Sequence, residues 1–315
     1  MEVPAWLWAG TLLPALFGCA TPQVDSLRAQ TPADLPRSIA LRDVPFFAQE
    51  QYQCGPASLA GLLDRTGLTL TPEDLVPQVY LPARKGALQG EMLAATRRQG
   101  LIAYELAPQL EALLRELAAG HPTLVLMDAG LTPITRWHYA VATGYDLDHD
   151  AIVLNSGQTN GQVMRLERFE RGWRASGYWA MLAIAPDELP ATACELPYVK
   201  AAAALERSVP ARAQIAYRTA LTRWPDSEGA LIGLGNLAYA AHDRVAAIEN
   251  YRRATAAHPD AADAWNNMAL ALCDDGQDKD AQTAVQAAIA HGGAHVDAYR
   301  RTAQDIAARC ATPSK

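Results

Sequence analysis

Along this 315-residue chain the opening stretch, Pro4-Ala-Trp-Leu-Trp-Ala-Gly-Thr-Leu-Leu-Pro-Ala-Leu16-Phe17, is almost wholly apolar but too short to span a bilayer. Residues 20–42 then turn to Pro, Thr, Gln, Ala and Asp with no sustained apolar period, which reads as a flexible tether, the alternative being an ordered arm packed on the domain that follows. After Asp43 the pattern changes again. A dense apolar run, Gly55-Pro-Ala-Ser-Leu-Ala-Gly-Leu-Leu63, predicts a helix that starts at Cys54, because Pro is tolerated in a first helical turn. Thr123–Met127 reads as a strand, and so do Trp137–Tyr145 and Ala151–Ser156. The polar Asp146-Leu-Asp-His-Asp150 between the last two makes them an antiparallel hairpin with His138 near its open end.

A different period follows the Pro-rich linker Ala185-Pro-Asp-Glu-Leu-Pro-Ala-Thr192. It is 34 residues long: it aligns Pro225 with Pro259, Ala213 with Ala247 and Ala281, Tyr217 with Tyr251 and Val285, and Ala220 with Ala254 and Ala288. Recurring alanines let antiparallel helices approach closely, and the aromatic fills space toward the next unit. This resembles the tetratricopeptide repeat, whose first-helix features are visible in Leu231 with Leu234-Gly235 and in Trp265 with Met268-Ala269. About three copies fit, the first with a degenerate opening helix at Tyr198–Arg207. The resemblance implies a protein-interaction module with Asn236, Asn267, Arg252 and Arg253 as possible face residues; the alternative is a cap or dimerising element.

Composition narrows the class. Half the residues are hydrophobic, enough for two cored domains, and the net charge of −7 without a Lys/Arg run argues against a nucleic-acid partner. No phosphate-cradling Gly-x-x-x-x-Gly-Lys segment occurs, and the seven histidines show no metal-ligand spacing, so neither cofactor nor metal is expected.

The chemistry centres on Gln49-Glu-Gln-Tyr-Gln-Cys54-Gly-Pro-Ala-Ser-Leu-Ala. A cysteine at a helix start meets unpaired N–H groups and a partial positive charge, which predicts a lowered thiol pKa, and Gly55 leaves room for a substrate backbone beside the sulfur. His138 supplies a base. Asn155 or Ser156 returns close to it on the second strand, and either could orient the imidazole; a one-residue register change decides which. Gln49 can donate its amide to an oxyanion, with the Cys54 backbone N–H beside it.

Val44-Pro-Phe-Phe, Gln49, Cys54-Gly-Pro-Ala-Ser-Leu and His138-Tyr-Ala-Val-Ala-Thr-Gly-Tyr-Asp together resemble the papain-like cysteine peptidases related to the bacteriocin-processing, double-glycine leader peptidase family. That resemblance implies an α+β papain-like domain with an N-terminal helix on an antiparallel sheet, Cys54 as nucleophile, His138 as base, Gln49 as oxyanion donor, and a third residue that is usually Asp. Two departures stand out. Position 48, six before the cysteine, is Ala, so Gln49 serves from five before, or Gln51 or Gln53 replaces it. The Asp is absent, and Asn155 is its expected substitute.

Leu16-Phe-Gly-Cys19 resembles a bacterial lipoprotein signal, which implies cleavage before Cys19 and its lipidation. The expected layout is a signal peptide at 1–18, a lipidated tether at 19–42, the peptidase at 43–188 and an all-α repeat domain at 189–315. Five cysteines less Cys19 and Cys54 leave Cys194, Cys273 and Cys310, an odd remainder for an exported chain. The function expected is a membrane-tethered peptidase of the cell envelope, in the periplasm, acting on peptide or protein. Acyl-transfer or amidase chemistry on the same fold, and a non-catalytic peptide-binding scaffold, are the competing readings.

Overall fold

Pro22 opens the first helix of the computed structural model, α1 (Pro22–Ala29), in a first-turn position where its missing N–H costs nothing. The structure describes residues 20–48, 53–130 and 134–310. The segment expected to be a tether is instead packed onto the body: Val24 and Leu27, with Leu35 beyond them, belong to the main hydrophobic core. Its orphan N-terminal donors are met by the buried Glu170, which accepts from the backbone N–H of Gln23 (3.1 Å) and of Val24 (2.8 Å). Arg28 joins Asp150 and Glu167. The sequence hides this helix because only a few apolar residues carry it and its cap lies well over a hundred positions downstream.

The chain continues through β1 (Ser38–Ala40), α2 (Cys54–Asp64), α3 (Pro72–Val79), β2 (Tyr80–Leu81), a 3-10 turn at Pro82–Arg84, β3 (Gly86–Ala87) and α4 (Gln89–Arg98). It then runs through β4 (Ile102–Glu105), α5 (Leu110–Ala118), β5 (Thr123–Asp128), β6 (Trp137–Asp146), β7 (Ala151–Ser156), β8 (Thr159–Arg165), α6 (Leu166–Ala175) and β9 (Ala180–Ile184). One antiparallel sheet takes the order β4-β9-β5-β6-β7-β8, and β1 pairs with the far end of β6. β2 and β3 form a separate hairpin.

Both faces of the sheet are covered, which is why its central strands read as continuous apolar runs. On one face Leu59, Leu62 and Leu63 of α2 meet Leu124, Tyr139, Val141 and Met181. On the other, Leu113 and Leu117 of α5 and Phe169 and Trp173 of α6 meet Val125, Ala140, Ala142, Ile152 and Leu154.

The β6–β7 ladder carries an irregularity that matters below. Tyr145 pairs with Ile152 and Gly144 with Val153, but the next pairs are Ala142 with Leu154 and Val141 with Asn155, so Thr143 is an extra residue in β6. Gly144 is required beside it: a Cβ there would lie 2.2 Å from the Ile39 carbonyl oxygen on β1.

The helices that follow are α7 (Glu195–Ala203), α8 (Pro210–Arg223), α9 (Glu228–Ala240), α10 (Arg244–Ala257), α11 (Ala262–Asp274), α12 (Asp278–His291) and α13 (Val296–Cys310). From α8 onward, alternate helices start 34 residues apart, at 210, 244 and 278 and at 228, 262 and 296. Tyr217 packs on Gly233 and Tyr251 on Gly235, where a Cβ would meet the rings at 2.3 and 2.4 Å. No free linker separates this array from the sheet. Tyr198, Leu205, Tyr217 and Leu234 share one core with the sheet strands, and Ala191 and Thr192 are bonded to Glu116 of α5. The expected boundary at 188/189 therefore falls inside a continuous packed unit.

Among the described residues no helix is long and apolar enough to cross a membrane.

Candidate active site

Cys54 is the first residue of α2, with Gln53 as its N-cap. The glycine after it does not leave open space for substrate: a Cβ on Gly55 would come within 2.7 Å of the Ala87 methyl, so Gly55 lets β3 close against the start of α2. The β2–β3 hairpin is also held by Tyr139, whose hydroxyl donates to the Ala87 carbonyl at 3.3 Å. Ser58, one turn into α2, donates its hydroxyl to the Tyr139 carbonyl at 3.1 Å. Thus the helix start and the hairpin both register on Tyr139, the neighbour of His138.

Burial raises the Cys54 thiol above its ordinary pKa, and this outweighs the opposing pull of the backbone N–H groups of Tyr139, Gly55 and Cys54 and of the nearby Arg136 cation. The lowering expected at a helix start is present, but desolvation reverses the net sign. His138 moves the other way. Burial, with Arg136 nearby adding to it, lowers the imidazole to about 4. Both shifts favour the neutral forms of these two groups of the cleft.

The ring of His138 is held by Ser156, whose Oγ lies 2.9 Å from Nε2. Asn155, the expected substitute for the missing Asp, is not there. It is buried on the opposite side of β7, where its Nδ2 donates to the Val44 carbonyl at 3.4 Å and its Oδ1 accepts from the Gly161 N–H at 3.0 Å. The extra residue in β6 explains the exchange. With strict alternation from Tyr145–Ile152, His138 would share a face with Asn155; inserting Thr143 moves it to the face of Ile152, Leu154 and Ser156.

Cys54 and His138 open into one cleft of about 1230 Å³. Its walls include the 3-10 turn and β3, from Arg84 to Ala87, and the start of β6 with the residues before it, from Ile134 to Tyr139. The approach to β6 is fixed by Asp128, whose Oδ1 accepts from the N–H groups of Gly130 and Arg136, both at 2.8 Å. Arg136 is the site residue that sequence reading missed; a lone arginine before a strand gives no signal.

Gln49, Gln51 and Cys19 lie outside the described residues, so the expected oxyanion amide and lipidation site are not located here. Gln53 is described and half-buried. Cys194 and Cys273 are free thiols. Among the described residues no cluster of three or more His, Cys, Asp or Glu could hold a metal.

Residues 41–181 match the Peptidase_C39 like family. The matched segment covers Cys54, His138 and Ser156 and stops inside β9, short of the helical array. Among solved structures, a protein from Bacillus anthracis provisionally described as a C39-like peptidase is similar at 19% identity, over 47% of this chain and 98% of that one, with a TM-score of 0.42. No curated protein is similar enough to count as a relative.

Proposed function

We propose that the chain is a cysteine peptidase in which Cys54 and His138 act as nucleophile and general base and Ser156 orients the base. The observation that carries this reading is the contact from Ser156 Oγ to His138 Nε2, which leaves Nδ1 as the ring nitrogen for the thiol of the same cleft. The match of residues 41–181 to a peptidase family supports it.

In this mechanism the proton leaves Cys54 as sulfur attacks the scissile carbonyl, because burial favours the neutral form of both groups, and His138 receives it. The backbone N–H of Cys54, together with the Gln49 amide, stabilises the oxyanion. His138 then protonates the leaving amine, and a water deprotonated by the same ring releases the acyl group.

Incubation with a peptide mixture followed by mass analysis of Cys54 tests the reading. A thioester on Cys54 that disappears in Cys54→Ala and accumulates more slowly in His138→Ala supports it; an unmodified thiol and intact peptides defeat it. The raised thiol and the neutral partner at position 156 favour a second reading, a peptide-binding scaffold, and those same negative results with retained peptide binding would establish it.

The remaining parts of the proposal concern setting. Leu16-Phe-Gly-Cys19 supports lipidation at Cys19 and a place at the cell-envelope membrane, and labelled palmitate should enter the wild type but not Cys19→Ser. The 34-residue helical period supports a tetratricopeptide-type module that binds a protein partner.

A further inference from the structure

We propose that the cleft selects an acidic peptide segment with a bulky apolar side chain close to the scissile bond; this rests on the peptidase reading above. Two independent features of the cleft point there. First, among the described residues six large hydrophobics are exposed, and three of them, Leu88 (44% exposed), Ile134 (73%) and Trp137 (51%), line this one cleft. Apolar surface left open beside a reactive pair is surface that a ligand can cover.

Second, the cleft opposes the charge of the whole. The chain carries −7, but the charged residues among the described lining are Arg84, Lys85 and Arg136, with no carboxylate. Arg84 ends the 3-10 turn of the β2–β3 hairpin, and Arg136 stands just before Trp137 and close enough to lower both the thiol and the imidazole. Cations therefore come from two separate elements, with apolar groups beside each of them: Leu88 follows the hairpin and Trp137 follows Arg136. The charge of the described lining, carried by Arg84 and Arg136 from these two elements, concentrates ligands of the opposite sign and raises their association rate.

The size suits a chain segment better than a small metabolite. At about 1230 Å³ the cleft exceeds the range that encloses a drug-sized molecule, so a chain segment several residues long is the occupant it accommodates. The electrostatics then favour an acidic segment.

The test uses the full chain and matched fluorogenic peptides that carry Leu or Ala beside the cleavage point and Glu, Gln or Lys in the flanking positions. Peptides with Leu and Glu should show kcat/KM about tenfold or more above those with Leu and Lys, and added salt should shrink that ratio. Arg84→Glu should cut the charge preference about threefold or more, since Lys85 and Arg136 remain, while an unchanged urea midpoint shows the variant intact. Equal kcat/KM across the charge series, or a preference untouched by Arg84→Glu, would overturn the proposal. Should no peptide be cleaved, the peptidase reading fails separately. Binding of the same peptides to Cys54→Ser, followed by fluorescence anisotropy, then decides selectivity: preference for the Leu and Glu set upholds it and uniform binding refutes it.

Discussion

Ser156 Oγ and His138 Nε2 stand 2.9 Å apart across the open end of the β6–β7 hairpin. A hydroxyl there fixes the ring plane but brings no charge, so an imidazolium formed during catalysis gains little from it. Among the described residues no carboxylate bonds to this ring, which fits a base whose pKa is lowered to about 4 rather than raised.

Ser156→Ala should therefore lower kcat modestly, about tenfold, by freeing the ring, with KM nearly unchanged. Ser156→Asp should do the opposite of harm: a carboxylate at Nε2 raises the imidazole pKa and shifts the acid limb of the pH profile upward. Asn155→Ala should leave kcat per folded molecule alone but destabilise the domain by about 1–3 kcal/mol, because the Gly161 N–H and the Val44 carbonyl lose their buried partner. Steady-state kinetics beside urea denaturation separates these effects.

The pH dependence follows from two opposite shifts. His138 is depressed to about 4, so it is neutral and able to act as base throughout the range above that value. Activity should hold on acidification past the ordinary histidine range and fall near pH 4. Cys54 is raised, so its alkylation should lag behind that of a free small-molecule thiol and climb only at alkaline pH. A reactive thiolate already abundant below pH 7 would show that an ion pair forms and that desolvation does not dominate.

Much of this site was legible in the sequence. The apolar run after Cys54 and the polar gap between two apolar strands placed α2 and the β6–β7 hairpin, and recurring Ala, Tyr and Pro gave the helical period. The choice between Asn155 and Ser156 was not legible, because it turns on the extra Thr143, and a bulge leaves no mark in a strand that is apolar on both faces. α1 was missed for a related reason: its stability comes from distant Glu170 and Arg28 partners, not from a local pattern. Desolvation of Cys54 needed the packed hairpin, which the sequence did not reveal.

Gly55→Ala probes that hairpin. The new methyl would lie 2.7 Å from the Ala87 Cβ, and both atoms are fixed to backbone, so α2 and β3 must separate. Overpacking of this kind costs about 1–3 kcal/mol. The Tyr139–Ala87 hydrogen bond should lengthen with it, opening the wall that carries Arg84, so KM should rise more than kcat falls. Pairing with Ala87→Gly removes the clash and should restore both; failure of that rescue would place the defect in α2 itself.

The joint between the sheet domain and the helical array should be sensitive to pH through Glu116 and His121. Glu116 is fully buried and accepts from the backbone N–H groups of Ala191 (3.1 Å) and Thr192 (2.6 Å), the Thr192 hydroxyl and His121 Nδ1 (2.6 Å), while His121 Nε2 lies 3.0 Å from Glu188. The hydrogen bond to Glu116 raises His121, with Glu188 adding and burial opposing. Its contribution to stability is thus fully present below the ordinary histidine value and is lost as pH rises through the raised one. Burial pushes Glu116 up, but the bonds from His121 and Thr192 outweigh it and leave the carboxyl lowered, so its contribution is lost as pH falls through that lowered value. The joint is therefore tightest between the ordinary carboxylate and histidine ranges. His121→Ala strands a buried carboxylate and should cost on the order of 3 kcal/mol in that window. Urea midpoints of the two proteins should converge as pH is raised past the His121 transition. A gap that stays constant from pH 5.5 to 9 would mean that a neutral hydrogen bond, not the charge pair, holds the array to the sheet.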